Sequence, residues 1–221
     1  MKIKIKKRMR RWLMGISVGI LFFVWLQNAG VHYTEKYCEK NADVKCVSIF
    51  WWITKSDRVN ATESLPFENI QPGDVLVSLS THTMGWRHGH AGLVLDEEHV
   101  LECSVIGKDS TIVNIKQWRE YSNHVVLRVK DVSEGEQKAV VEFAMEYLCG
   151  RPYRLSAGVW GKKAQDPESR NFGMHCVYLV WYAWYQMGYD IDSDGGRIVT
   201  VQDILDSDIA EVIQVYGMNL K

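Results

Sequence analysis

From residue 72 onward, apolar and polar positions fall into short alternating runs of the kind that half-buried strands produce. The turn Pro72-Gly73-Asp74 feeds an extended run from Val75 to Leu79. Two more extended runs, Gly89 to Leu95 and His99 to Ser104, flank the turn-like Asp96-Glu97-Glu98 and predict a hairpin. Thr111 to Ile115 and Val125 to Val129 read as further strands, and Glu211 to Tyr216 as the strand that closes the sheet.

The period then changes. Ala139, Val140, Phe143, Ala144, Tyr147 and Leu148 recur at helical spacing, which predicts a helix over 134–149 ended by Gly150 and Pro152. A second helix is expected from about His175 to Met187, stopped by Gly188, and Thr200-Val201-Gln202-Asp203 resembles a capping box that opens a short third helix. Clustered strands with helices outside the cluster predict an α+β domain built on an antiparallel sheet rather than a doubly wound one.

The N-terminal pattern is of another kind. Lys2, Lys4, Lys6, Lys7, Arg8, Arg10 and Arg11 precede a charge-free run, Trp12 to Leu26, which extends through Val31 to roughly the length that crosses a bilayer. Residues 1–31 are therefore expected to be a signal anchor, or a signal peptide if cleaved, with the cations on the cytoplasmic side and the body outside the cytoplasm. Residues 32–221 are expected to form one domain. Within them, Val47 to Ile53 is strongly apolar and is expected to be core or groove wall rather than membrane contact. Formal charge is −1 for the whole chain and −8 once those seven cations are set aside, so the body would repel a phosphate backbone and no nucleic-acid partner is expected.

Of the five cysteines, Cys38 and Cys46 flank a short polar stretch and either pair in an oxidising compartment or stay free. Cys103 and Cys149 read as small buried hydrophobes. Cys176 differs because it opens an apolar helix, where unpaired N–H groups and the helix dipole favour a thiolate. A cysteine nucleophile needs an imidazole to take its proton and a third group to orient that imidazole. If Leu95 pairs with His99, His90 lies diagonal to Glu102 on the even-numbered face of the hairpin. Glutamate inside an apolar strand is costly without a partner, which makes that placement informative.

These segments resemble a known family. Ile70 to Leu76, Gly89 to Leu95 and Val100-Leu101-Glu102 are similar to the histidine half of the NlpC/P60 peptidases. Gly150-Arg151-Pro152-Tyr153, then His175-Cys176 and the aromatic helix, are similar to their cysteine half, in reversed order. The order and the glutamate resemble the permuted YiiX/YaeF-like branch. The resemblance implies a circularly permuted papain-like α+β fold and a cysteine amidase or peptidase without a cofactor. It gives Cys176 as nucleophile, His90 as base and Glu102 as orienting residue. Tyr153, His175 and Tyr178 are the expected substrate-binding residues. His175 and Val177-Tyr178 replace the family's usual flanking residues, so a substrate other than a free-amine stem peptide is expected. The implied partner is a cell-envelope substrate, peptidoglycan-related or an acylated lipid or protein.

Two rival readings stand beside this one. His82, His88, His90, His175 and Cys176 could gather around zinc, although no Cys-x-x-Cys or His-Glu-x-x-His spacing supports it. A tethered papain-like groove could also bind without cleaving. Elsewhere, His82, His99 and His124 read as solvated or hydrogen-bonded strand-end histidines. Trp181 and Trp184 read as packing rather than a carbohydrate platform. Asp190 to Asp194, before Gly195-Gly196, lacks the terminal glutamate spacing of an EF-hand and reads as a polar turn.

Overall fold

The alternating runs become a six-stranded antiparallel sheet because each strand carries one apolar set toward a layer of helices and a second toward a shorter cover. The computed structural model describes residues 54–57, 66–83 and 86–218. The expected anchor over 1–31, the apolar run 47–53 and the Cys38–Cys46 question lie outside the described residues. Among the described residues, no helix is long and apolar enough to cross a membrane.

In chain order the elements are β1 (Thr54–Ser56), β2 (Val75–Ser78), β3 (Thr81–Thr83), β4 (Trp86–Arg87), β5 (His90–Val94), β6 (His99–Glu102) and β7 (Thr111–Asn114). A 3₁₀ turn (Ile115–Glu120) and β8 (His124–Val129) follow, then α1 (Glu134–Phe143), a π-helical turn (Ala144–Leu148), α2 (Cys176–Gln186), α3 (Val201–Leu205) and β9 (Ala210–Tyr216). The large sheet runs β7-β6-β5-β2-β8-β9, and β1-β3-β4 form a small separate sheet. Every strand pair is antiparallel, so the α+β expectation holds.

The β5–β6 hairpin has the anticipated register: Gly92 faces Glu102, Leu93 faces Leu101, and Leu95 N–H donates to His99 O at 2.9 Å. Odd positions of β2, β5, β6 and β8, among them Val77, Ala91, Leu93, Leu101 and Leu127, pack into one core with α2. Even positions Leu76, Val94, Val100 and Val126 pack beneath Ile115, Trp118 and Tyr121.

The helices differ from expectation in one place. Ser133 and Glu136 close a capping box on α1, but the α geometry gives way after Phe143 to one π turn. Helix α2 is buried at every position from Cys176 to Trp184. Such a helix is held by burial rather than amphipathicity, and its aromatic tips need partners. They have them: Tyr178 donates to Lys163 O at 2.7 Å, Tyr182 to Gln165 O, Trp181 to Asp190 Oδ1 at 2.8 Å and Trp184 to Gly73 O at 3.0 Å. These bonds tie α2 to three loops and fix where its N-terminus lies.

Candidate active site

Cys176 is the first residue of α2 and is 8% exposed. The strand-like segment before it is clamped. Met174 bridges to Tyr153, its N–H donates to Pro152 O at 3.1 Å, and its carbonyl accepts from Arg154 N–H at 2.9 Å and from the Cys103 thiol at 3.2 Å. A side chain two residues from such a clamp has little freedom, which is the condition for a preorganised site.

His90 opens β5 and is buried. Its Nε2 and Glu102 Oε2 are 3.0 Å apart, and the Cys176 side chain is near enough to act on the imidazole. A carboxylate on Nε2 holds the orientation of the ring. Structure thus brings Cys176, His90 and Glu102 together in a chain of contacts.

Trp118 completes that chain, and sequence reading missed it. Its Nε1–H donates to the same Glu102 oxygen at 3.0 Å, and its ring stacks on His90 at 4.9 Å with 14° between planes. Tyr121 lies 6.0 Å from the imidazole on the same side. The indole can approach because Gly92 has no side chain: a Cβ there would stand 2.6 Å from Val100 Cγ1 and 2.8 Å from Trp118 Cζ2. A signal for this cover was present, since buried Ile115, Trp118 and Tyr121 recur every third residue, the period of a 3₁₀ turn. Gly89, at φ +71°, carries the backbone into β5, where a Cβ would meet Ser78 O and Val201 at 2.8 Å.

Electrostatics favour an ion pair. Burial works against a charged His90, but Tyr121, Glu102 and the Cys176 sulfur outweigh it and hold the imidazole well above its usual range. Burial likewise pushes Cys176 up, yet hydrogen bonds and charge from His175 and His90 bring it well below the ordinary thiol range. Both shifts point to thiolate beside imidazolium. Cys103, buried and next to this charge, is pushed far up and stays a thiol.

The three expected substrate-binding residues divide. Tyr153 is half-buried beside Cys176 and Cys103, and burial together with the Cys176 charge raises its phenol, so it stays protonated at the edge of the site. His175 is 7% exposed, as buried as Cys176 itself. Its Nδ1 caps α2 by accepting Tyr178 N–H at 3.3 Å, and its side chain helps hold the Cys176 thiol down. Tyr178 is fully buried, because α2 is enclosed all round and its hydroxyl is taken by Lys163 O; the groove role expected for it is corrected to packing. Of the other histidines, His99 bonds exposed Asp96. His124 is 0% exposed, and neither ring nitrogen has a hydrogen-bond partner, contrary to the solvated reading.

No family model matches the chain, and no curated protein matches it. Among solved structures, the crystal structure of the metalloprotein yiiX from Escherichia coli O157:H7 is similar, with a TM-score of 0.47 and 17% sequence identity, over 66% of this chain and 98% of that one.

Proposed function

We propose that the protein is a cysteine hydrolase that cleaves an amide of the cell envelope through an acyl-enzyme on Cys176, within a permuted papain-like domain. The observation that carries the reading is the buried Cys176–His90–Glu102 chain, with sulfur shifted down and imidazole shifted up. In the first step the thiolate adds to the substrate carbonyl carbon, and the imidazolium gives its proton to the leaving amine as the C–N bond breaks. His90 then takes a proton from water, whose oxygen attacks the thioester and releases the acid and Cys176. Glu102 holds the imidazole throughout, and the Cys176 backbone N–H, in the first helical turn where no intrahelical acceptor exists, is a donor for the oxyanion.

Residues 1–31 would anchor the body outside the cytoplasm and bring it to peptidoglycan-related amides. Lipid- or protein-linked acyl groups form a second reading, favoured by Leu155 at 61% and Trp160 at 78% exposure on the loop between Tyr153 and the nucleophile. The absence of an acidic or hydroxyl side chain at His175 and Val177 argues against a subsite for a free amino terminus.

The test is a side-by-side assay of the purified protein on stem peptides with free and blocked amino termini, on acyl amides and on thioesters. Cys176→Ala and His90→Ala should each abolish turnover without unfolding the chain, and their losses should not add. Turnover that survives Cys176→Ala refutes the nucleophile; a strong preference for the free-amine peptide refutes the altered specificity.

A further inference from the structure

The segment Asp190-Ile191-Asp192-Ser193-Asp194-Gly195 leaves α2 and leads to α3. Its first acidic group is already engaged, since Asp190 Oδ1 accepts from Trp181 Nε1 at 2.8 Å and from Asp192 N–H at 3.2 Å. The next two are joined by a residue from the following helix. Carboxylate oxygens of Asp192, Asp194 and Asp203 all lie within 4.8 Å of one another. Asp203 stands two residues past the position at which an EF-hand places its glutamate, which is why loop spacing alone suggested a mere polar turn.

Three carboxylates at a surface need no ligand by themselves. Asp192 does, because it is 7% exposed and its Oδ1 is buried without a hydrogen-bond partner. Its other oxygen, Oδ2, is paired with Lys163, whose ammonium also lies 4.7 Å over the Trp181 ring. Lys163 pairs with Asp192 alone of the three, and a buried acceptor left without a partner is unfavourable. The remaining carboxylates are positioned by bonds that leave each a second oxygen: Asp194 Oδ1 accepts Gly196 N–H at 2.6 Å, and Asp203 Oδ2 accepts Thr200 N–H and Oγ1–H at 2.7 Å each.

We propose that Asp192, Asp194 and Asp203 form a binding site for a hard divalent cation, calcium, that joins the loop after α2 to the first turn of α3. All-oxygen donors of this kind suit calcium, which accepts irregular coordination completed by water and backbone carbonyls. Bound calcium would satisfy the orphaned Asp192 oxygen and share the carboxylate with Lys163.

The full-length chain, stripped with chelator, is melted with and without millimolar calcium chloride. A cation bound only by the folded state should raise the melting temperature by roughly 5–10 °C at about a hundred times its dissociation constant. Asp194→Asn with Asp203→Asn should remove that rise, and asparagine retains an oxygen acceptor for the α3 cap. Terbium, excited through tryptophan, gives a second readout: wild type should emit, calcium should quench the emission by displacement, and Asp194→Asn alone, an exposed change, should weaken it. No calcium shift and no terbium emission from wild type overturn the proposal. So does a shift that persists in the double variant, since the cation would then bind elsewhere. None of these readouts requires hydrolysis, so they stand or fall apart from the proposed enzyme activity.

Discussion

Replacing Glu102 by glutamine isolates the charge at the centre of the proposed site. A glutamine carbonyl can occupy the position of Oε2 and still accept from His90 Nε2 and Trp118 Nε1, both 3.0 Å away. Geometry is kept and charge is lost. Hydrogen bonds to charged groups contribute about 1.5–3 kcal/mol and neutral ones about 0.5–1.5, so the imidazolium loses about 1–1.5 kcal/mol of support. At about 1.4 kcal/mol per pH unit, His90 should lose its proton about one pH unit lower than in wild type.

Cys176 should behave differently. Its acid-side ionisation takes place while His90 is already protonated, so a change that acts on the imidazolium leaves that step nearly where it was. In keeping with this, Cys176 is set by burial and by His175 and His90. The ion-pair window is therefore expected to narrow from its alkaline side only. Nitrogen-15 NMR of His90 reads the upper bound, and iodoacetamide alkylation of Cys176 across pH, followed by peptide mass, reads the lower one. An unmoved His90 titration, or an alkylation onset that climbs by a full unit, would refute the reasoning.

Two further outcomes follow from packing and burial. Gly92→Ala drives a methyl group to within 2.6 Å of Val100 and 2.8 Å of Trp118 and should cost about 1–3 kcal/mol in denaturant unfolding, with Trp118 displaced from His90; wild-type stability would contradict that tight approach. Burial, with Arg119 next, lowers His124 to about 4 from 6.5, so the unfolded chain binds the extra proton first, and stability should fall from pH 6.5 down to about 4 and then level, by about 3 kcal/mol in all. His124→Phe, between the Phe67 and Tyr216 rings, should flatten that slope in urea titrations at successive pH values; an unchanged slope would assign the acid sensitivity to other groups.

The hairpin was legible because its period of two leaves only one register that buries Leu93 and Leu101 together, and that register puts His90 and Glu102 on one face. Helix α2 was legible from its apolar run and its glycine stop. What the pattern hid was contact between distant segments. Trp118 reaches Glu102 only because Gly92 is bare, and the purpose of a missing side chain does not show in a periodicity. Tyr178 looked like a groove residue because it sits close to Cys176 in sequence, but two residues on, the helix has turned it into the core. The ring of His175 has a second task that its position did not announce, since it folds back to cap its own helix. The β1-β3-β4 sheet was not anticipated, since strands of two or three residues are too short to carry a period.

The clamp around Met174 and the burial of α2 bear on when the sulfur becomes dangerous as well as on where it sits. The hairpin that carries His90 and Glu102 closes locally, whereas α2 must dock on it from far along the chain, and such distant contacts carry the larger loop-closure cost. Until they form, Cys176 is an ordinary thiol, mostly protonated at neutral pH, and reacts sluggishly with oxidants and acyl donors. On the proposed reading the nucleophile would therefore be armed by folding itself: a nascent or transiently opened chain would be self-safened, and reactivity would report completed assembly.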